Sequence, residues 1–190
     1  LGHGAAALRN QQGNRPARHC LSETLGHFWN NRIHAEVTAF YIDGKNMIQV
    51  DPQSGQLENV GKFYNKGIEL DADIQVLRNL RFSTNYSFLH TNKEIVAAPK
   101  HKWFLEGLYT WKNLSITLNM QSIFGLYVSN LMKSEDYTLL NGRIAYKIGN
   151  KKQNITLFVK GENLTNTKYT INEGYPMPGA IAMGGFDFKF

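Results

Sequence analysis

The chain has 190 residues, a formal net charge of +6 and a mean hydropathy of −0.37. This length fits one folded domain, and no apolar run reaches the roughly 18 residues of a membrane helix, which excludes a helical membrane protein. A transmembrane β-barrel stays compatible, because its alternating strands keep hydropathy low. The single Cys20 excludes an internal disulfide framework. Basic residues such as Lys151 and Lys152 lie beside turns rather than in one stripe, so nucleic-acid binding is not expected.

Residues 1–28 have no sustained hydrophobic period and contain turn-forming residues, so we predict an irregular or degraded segment there. The first stretch, LGHGAAALRN, lacks the basic start and the apolar run of a signal peptide. We therefore expect either a cytosolic protein or a chain that starts downstream of the original N-terminus.

From Trp29 onward, apolar and polar residues alternate with a period of two, which is typical of β-strands. In KGIELDADIQV, for example, Ile68 and Leu70 point to one face while Glu69 and Asp71 point to the other. The pattern recurs in NRIHAEVTAFYI, RFSTNYSFLHT, HKWFLEGLYTW, LSITLNMQSIF, YTLLNGRIAYKIG, NITLFVKGENL and AIAMGGFDFKF. It predicts an all-β antiparallel meander of about eight long strands, each of roughly 10–14 residues.

The predicted connections alternate in length along the chain. Short connections follow Val76, Trp111 and Ile148. Long connections follow Val50, Thr91, Tyr127 and Asn163. Because successive connections of a meander lie at opposite ends of the sheet, we expect one end with tight turns and another with long loops. We call these the tight-turn end and the long-loop end.

The two faces of the predicted sheet differ in chemistry. The polar rows are rich in Ser, Thr, Asn and Gln, whereas a solvent-exposed sheet face more often carries Lys and Glu. Aromatic residues gather near the strand ends, as an interface girdle would require: Trp29, Tyr41, Tyr64, Trp103, Trp111, Tyr127 and Tyr137. We therefore predict that the apolar row meets lipid and that Glu69, Asp71 and Asp73 face water inside a barrel.

These stretches resemble the C-terminal part of the barrel of TonB-dependent outer-membrane receptors. The resemblance is carried by AEVTAFYIDGKNMIQV, NKGIELDADIQV with NYSFLHT, APKHKWFLEGLYTW, VKGENLTNTKY, and the final stretch that runs from GYPMPG to Phe190. It covers residues 29–190, with the N-terminal plug domain absent from this sequence. Relatives commonly place Arg after YPMPG, where this chain has Ala180, so an arginine-dependent contact is not implied.

The resemblance implies a segment of a 22-stranded barrel in the outer membrane of a Gram-negative bacterium. It implies energy-coupled uptake of a ferric siderophore, haem or cobalamin, driven by the TonB complex through the missing N-terminal part. We expect outer-membrane lipid and the barrel-assembly machinery as partners, with no enzymatic activity, no cofactor and no metal site. Alone, such a fragment is not expected to transport.

The resemblance also assigns roles to particular residues. In the family's layout the long loops face outside and capture the ligand. The candidate ligand-binding residues are His90, Lys93, Glu94, Tyr127, Asn130, Lys133, Tyr169, Asn172, Tyr175 and Met177. The terminal residues Phe186, Phe188 and Phe190 resemble the signal that the assembly machinery reads.

The sequence also allows alternatives to a receptor barrel. Neither a G-x-S-x-G nucleophile motif nor a Cys-x-x-Cys or His-Glu-x-x-His motif occurs. His90 and His101 flank one loop and could share a metal, and Asp71 with Asp73 could pair as acid and base. A wet barrel wall explains the same acids without catalysis. The alternative functions are a small passive outer-membrane barrel or porin-like protein, and a soluble β-barrel carrier.

Overall fold

The fold is known from a computed structural model, which describes residues 18–29, 32–46, 48–50, 55–59, 61–93, 95–129, 132–133, 136–150 and 153–190. Within these residues, nine strands form one antiparallel sheet in the order β1-β2-β5-β6-β7-β8-β11-β12-β15. The strands are β1 Arg18–Trp29, β2 Ile33–Gly44, β5 Phe63–Leu77, β6 Leu80–Thr91, β7 His101–Trp111, β8 Leu114–Phe124, β11 Tyr137–Gly149, β12 Asn154–Glu162 and β15 Ile181–Lys189. The predicted all-β antiparallel meander is confirmed.

Short hairpins occupy three of the long connections. Each pairs two strands of two or three residues outside the main sheet. They are β3 Ile48–Val50 with β4 Leu57–Asn59, β9 Tyr127–Ser129 with β10 Met132–Lys133, and β13 Thr170–Asn172 with β14 Tyr175–Pro176. All three lie at the long-loop end, whereas β5 and β6 join through Arg78–Asn79 and β7 and β8 through Lys112–Asn113. The predicted asymmetry of the two ends is confirmed.

The prediction of an irregular segment at residues 1–28 is wrong for residues 18–28, which with Trp29 form β1. Residues 1–17 lie outside the described residues. β1 pairs with β2 along its whole length, from Arg18 opposite Gly44 to Trp29 opposite Ile33. Its own alternation is weak, because polar residues such as Glu23 share a row with Leu21 and Leu25. Pairing with β2 stabilises β1 as a strand, although the sequence of β1 alone does not predict one.

The strand register sorts the side chains into two faces. Ile68 lies opposite Ala39 and Phe88, and Leu70 lies opposite Val37 and Tyr86, so these residues share what we call the apolar face. Most large side chains of this face are exposed, including Ile144, Leu157, Val159 and Phe186. The predicted alternation is confirmed. No helix able to cross a membrane occurs among the described residues.

The opposite, polar face is cross-linked by hydrogen bonds between neighbouring strands. Asn85 Nδ2 donates to Asp71 at 2.6 Å, and Ser83 donates to Asp73 at 2.5 Å. Arg81 also pairs with Asp73 at 2.8 Å. These bonds engage Oδ1 of each carboxylate and tie both acids to the neighbouring strand, which favours the predicted role of a polar wall over the catalytic alternative.

Candidate functional site at the long-loop end

Backbone hydrogen bonds join three long loops into one structure at the long-loop end. In the loop between β6 and β7, the Ala97 amide donates to the carbonyl of Tyr127 at 2.9 Å. In the loop between β12 and β15, the Glu173 amide donates to the carbonyl of Val128 at 3.2 Å. Both bonds meet on β9, so this short strand connects its two neighbours. We call this arrangement the loop junction.

A small apolar cluster anchors the loop junction to the polar face of the sheet. Ile123 lies opposite Tyr137, and both belong to the row that includes Asn119 and Asn141 rather than to the apolar face. They are buried together with Leu126, Val128 and Leu139, and Tyr169 packs against them. The rings of Tyr137 and Tyr169 lie 4.5 Å apart. The predicted place of Tyr137 in an aromatic girdle is therefore wrong, because its ring is buried under the loops.

Asn163 fixes the start of the loop that carries Tyr169. Its side chain is almost fully buried, with 4% exposed, and its φ of 49° lies in the left-handed region that Asn tolerates. Nδ2 donates to the carbonyls of Thr167 at 2.8 Å and Pro178 at 3.2 Å. Oδ1 accepts the Thr167 amide at 2.8 Å. One side chain thus ties both ends of the loop to the end of β12.

Five of the ten ligand-binding candidates meet near the loop junction. Tyr127 belongs to β9, and Tyr169 packs on Tyr137. Asn172 ends β13, and its pairing partner Tyr175 is 74% exposed. These residues bring aromatic and amide groups together on loops that backbone bonds hold in place. Met177 joins them through its amide, which donates to the carbonyl of Tyr169 at 3.0 Å.

His90 and Lys93 lie apart from that group. His90 is on the apolar face of β6, opposite Lys66, and stacks on Tyr64 with ring centroids 6.0 Å apart. Tyr64 in turn stacks on Tyr41 at 6.3 Å, so this row forms the aromatic rim expected of an interface girdle. Lys93 follows β6, and its carbonyl accepts the Thr91 hydroxyl at 2.5 Å.

The side chains of three candidates and of one girdle residue lie outside the described part of the chain. Glu94 and Asn130 lie outside the described residues. Lys133 belongs to β10, and Trp29 to β1, but the side chains of both lie outside the described part.

The alternative of a metal shared by His90 and His101 finds no support in the geometry. His101 Nδ1 lies 2.7 Å from the Tyr86 hydroxyl, and its ring packs on Phe88 at 5.0 Å. The His90 ring stacks on Tyr64. Among the described residues, no group of three or more His, Cys, Asp or Glu side chains could hold a metal ion.

Sequence reasoning missed the buried cluster and Asn163. A signal for the cluster was present, because YTLL and SIF place two apolar residues in succession at strand ends, which indicates burial on both faces. Asn163 had only the weaker signal of a turn-forming residue directly after a strand. Its buried bonds depend on Pro178, which lies in a distant part of the loop.

The comparisons with known proteins agree with this architecture. The family model described as TonB dependent receptor-like, beta-barrel matches residues 23–164. An uncharacterized TonB-dependent receptor of Haemophilus influenzae (strain ATCC 51907 / DSM 11121 / KW20 / Rd) is 29% identical over 185 residues, which cover 83% of this chain and 53% of that protein. The chain therefore spans about half the length of this curated relative.

Solved structures share the fold at low sequence identity. The copper transporter OprC superposes with a TM-score of 0.75 at 16% identity, over 92% of this chain and 31% of its own. The ferric citrate transporter FecA gives 0.74 at 19% identity, over 90% and 31%. The ferric preacinetobactin receptor BauA of Acinetobacter baumannii gives 0.69 at 18% identity, over 92% and 29%. Since the family model covers most of the chain, the protein belongs to the TonB-dependent receptor-like β-barrel family, a family of receptors and not of enzymes.

Proposed function

We propose that this chain forms the C-terminal part of the outer-membrane barrel of a TonB-dependent receptor that takes up a ferric chelate. Family membership supports a receptor role. The ferric citrate transporter and the ferric preacinetobactin receptor among the structural neighbours favour an iron chelate over haem or cobalamin. Those neighbours are about three times longer than the matched segment, so transport belongs to the complete receptor.

The observation that carries the proposal is an apolar face that is uncharged across six neighbouring strands. Among the described residues of β6, β7, β8, β11, β12 and β15, the register puts no Lys, Arg, Asp or Glu on this face. Among the other three strands of the sheet, Glu23, Asp43 and Lys66 lie on it. The charges of these strands, such as Arg143 and Lys160, occupy the polar face. An exposed apolar surface that crosses six strands is far larger than a protein in water normally keeps. Lipid is the solvent that matches it.

The dimensions of the sheet also fit a membrane. β7 has 11 residues, which gives a length of about 36 Å at about 3.3 Å per residue. At a tilt of about 45° such a strand rises about 26 Å, close to the apolar band of about 25 Å on outer-membrane barrels.

Polar side chains on the apolar face bond within the protein. Trp103 Nε1 donates to the Thr84 hydroxyl at 2.9 Å, and that hydroxyl donates to the carbonyl of Phe104 at 2.9 Å. The hydroxyls of Ser122 and Thr138 lie 2.8 Å apart. In lipid an unsatisfied polar group costs several kcal/mol, so these internal pairs suit a face without water.

The partners follow from this location. Within the described residues β1 and β15 do not pair with each other, and an open edge in lipid would leave backbone groups unbonded. In our proposal further strands of the receptor bond to these edges. The TonB complex acts through a plug beyond these 190 residues, and the barrel-assembly machinery reads β15 with its row Phe186, Phe188 and Phe190.

A pair of arginine substitutions tests the membrane location. Leu70→Arg places a charge at mid-strand on the apolar face, and Ser87→Arg places the same charge one row away on the polar face. In lipid vesicles we expect Leu70→Arg to lower the free energy of unfolding by about 2–4 kcal/mol, with little change for Ser87→Arg. Equal losses, or a chain that stays monodisperse without detergent, would contradict the proposal and favour a soluble carrier.

Growth on a ferric chelate tests the transport function. The complete receptor is expressed in a Gram-negative strain that lacks its other ferric receptors, with and without a working TonB. We expect growth only with TonB, and we expect Tyr175→Ala at the loop junction to weaken chelate binding more than Lys168→Ala in the same loop. Uptake that continues without TonB would instead support the passive, porin-like alternative.

A further inference from the structure

A notch interrupts the apolar face where β6, β7, β8 and β11 run side by side. It encloses about 310 Å³, and its lining is almost wholly apolar. The side chains that bound it include Leu80, Phe82, Leu105, Tyr109, Ile116 and Leu118. None of these residues belongs to the loop junction.

Gly107 lines the notch and leaves part of it without a side chain. The register aligns Phe82, Gly107, Leu118 and Gly142 in one row across four strands. In this row the large side chains of Phe82 and Leu118 therefore alternate with Gly107 and Gly142, which have no side chain. A Cβ on Gly107 would lie 3.1 Å from Phe82 Cε1, and one on Gly142 would lie 3.2 Å from Leu118 Cδ2. Phe82 contacts the Gly107 position, and Leu118 and Leu164 contact the Gly142 position, so only Gly107 contributes to the lining of the notch.

A cation lies at the tight-turn end of this notch. Lys112 forms the β7–β8 turn with a φ of 53°, and its Nζ lies 5.1 Å from the centre of the Trp111 ring. Trp111 shares the apolar face with Tyr109, which lines the notch on the same strand. The adjacent turn carries Arg78, and the two turns lie side by side because the Thr110 amide donates to the Asn79 carbonyl at 2.9 Å.

We propose that the notch and Lys112 form a binding site for a glycerophospholipid with an anionic headgroup. One acyl chain occupies the notch, and the headgroup phosphate lies at Lys112, where Arg78 adds positive charge. This inference rests on the proposed membrane location and concerns the leaflet that meets the tight turns. It is independent of the ligand that the receptor transports.

Shape and charge are the features that can select one lipid from a bilayer. Every lipid tail is apolar, so burial alone does not discriminate among lipids, and close packing must supply the preference for this position. The notch adds wall contacts on several sides of a chain, each of which contributes dispersion energy. A basic residue near the membrane surface adds about a fivefold preference for an anionic over a neutral headgroup.

The chain offers a matched control for Lys112. Lys66 is also on the apolar face, and its Nζ lies 6.0 Å from the centre of the Tyr64 ring. It is at the long-loop end, away from the notch. Lys66→Gln and Lys112→Gln therefore remove the same charge from similar cation–aromatic pairs, and only one of them borders the proposed site.

The test counts lipids bound to the full chain in a neutral detergent by native mass spectrometry, during titration with phosphatidylglycerol or with phosphatidylcholine of identical chains. We expect phosphatidylglycerol to bind about fivefold more tightly. Lys112→Gln should reduce this preference, and Lys66→Gln should preserve it. Equal affinities for the two lipids in the unaltered chain, or equal effects of the two glutamine variants, would overturn the inference.

A second variant tests the acyl-chain part of the site. Leu118→Trp fills the notch and should weaken binding of both lipids by a similar factor, while glycerol phosphate without acyl chains should not compete. Should Leu118→Trp fail to fold, Gly107→Ala narrows the notch with a single methyl group. Unchanged binding in a folded, notch-filled variant would overturn the inference. Sedimentation with vesicles distinguishes failure of the proposed lipid site from failure of the proposed membrane location. A chain that enters the bilayer but shows no lipid preference would refute the lipid site alone.

Discussion

Removing the side chain of Asn163 should loosen the loop that closes onto β15. Asn163→Gly keeps a residue that accepts the φ of 49°, so the change isolates the hydrogen bonds. The Thr167 amide and the carbonyls of Thr167 and Pro178 lose their partner. At about 1 kcal/mol for each bond, the free energy of unfolding should fall by about 3 kcal/mol. Asn163→Ala should cost about 1 kcal/mol more, because alanine resists a positive φ.

Asn166 provides the control for this prediction. It is also an asparagine with a positive φ, 51°, in the same loop, but its Oδ1 accepts one amide, that of Ala180, at an exposed position. Asn166→Gly should therefore cost about 1 kcal/mol or less. Urea titrations in lipid vesicles, followed by circular dichroism, would measure both variants. Unfolding of the two at the same urea concentration would refute the idea that buried bonds of Asn163 hold the loop.

Two further predictions concern the polar face. Tyr137→Ala removes a buried ring and should lower the free energy of unfolding by about 3 kcal/mol. Because Tyr169 loses its packing partner, hydrogen exchange of the Glu173 amide should accelerate. An unchanged exchange rate would contradict this. Asp73→Asn weakens an ion pair with Arg81 whose side chains are 39% and 50% exposed, so it should cost about 1 kcal/mol or less. This difference from the unaltered chain should shrink in concentrated salt, and a salt-independent loss would argue against an ionic cause.

The sheet could be predicted because alternation is a local property of the sequence. KGIELDADIQV assigns each residue to a face without knowledge of any other strand, and the observed register agrees with it. β1 could not be predicted in the same way. Glu23 interrupts its apolar row, and its order derives from β2, which is a tertiary effect that no period within β1 encodes.

The candidate site was predictable only in outline. Alternating loop lengths located the long-loop end, and Tyr127, Tyr169 and Tyr175 lie there. His90 was assigned to the loops because it is near the end of β6, yet strand parity puts it on the apolar face against Tyr64. The burial of Tyr137 could not be predicted, because it depends on which loops fold back over the sheet. Contacts between residues distant in the sequence decide this.

The loop junction has a consequence for how such receptors diversify. Its two bonds connect backbone atoms, the Ala97 amide to the Tyr127 carbonyl and the Glu173 amide to the Val128 carbonyl. Any residue except proline supplies the same amide, so mutation can exchange the neighbouring side chains without separating the loops. Under the proposed receptor function, substitutions can therefore change the side chains that would contact a ligand while the backbone bonds between the loops stay the same.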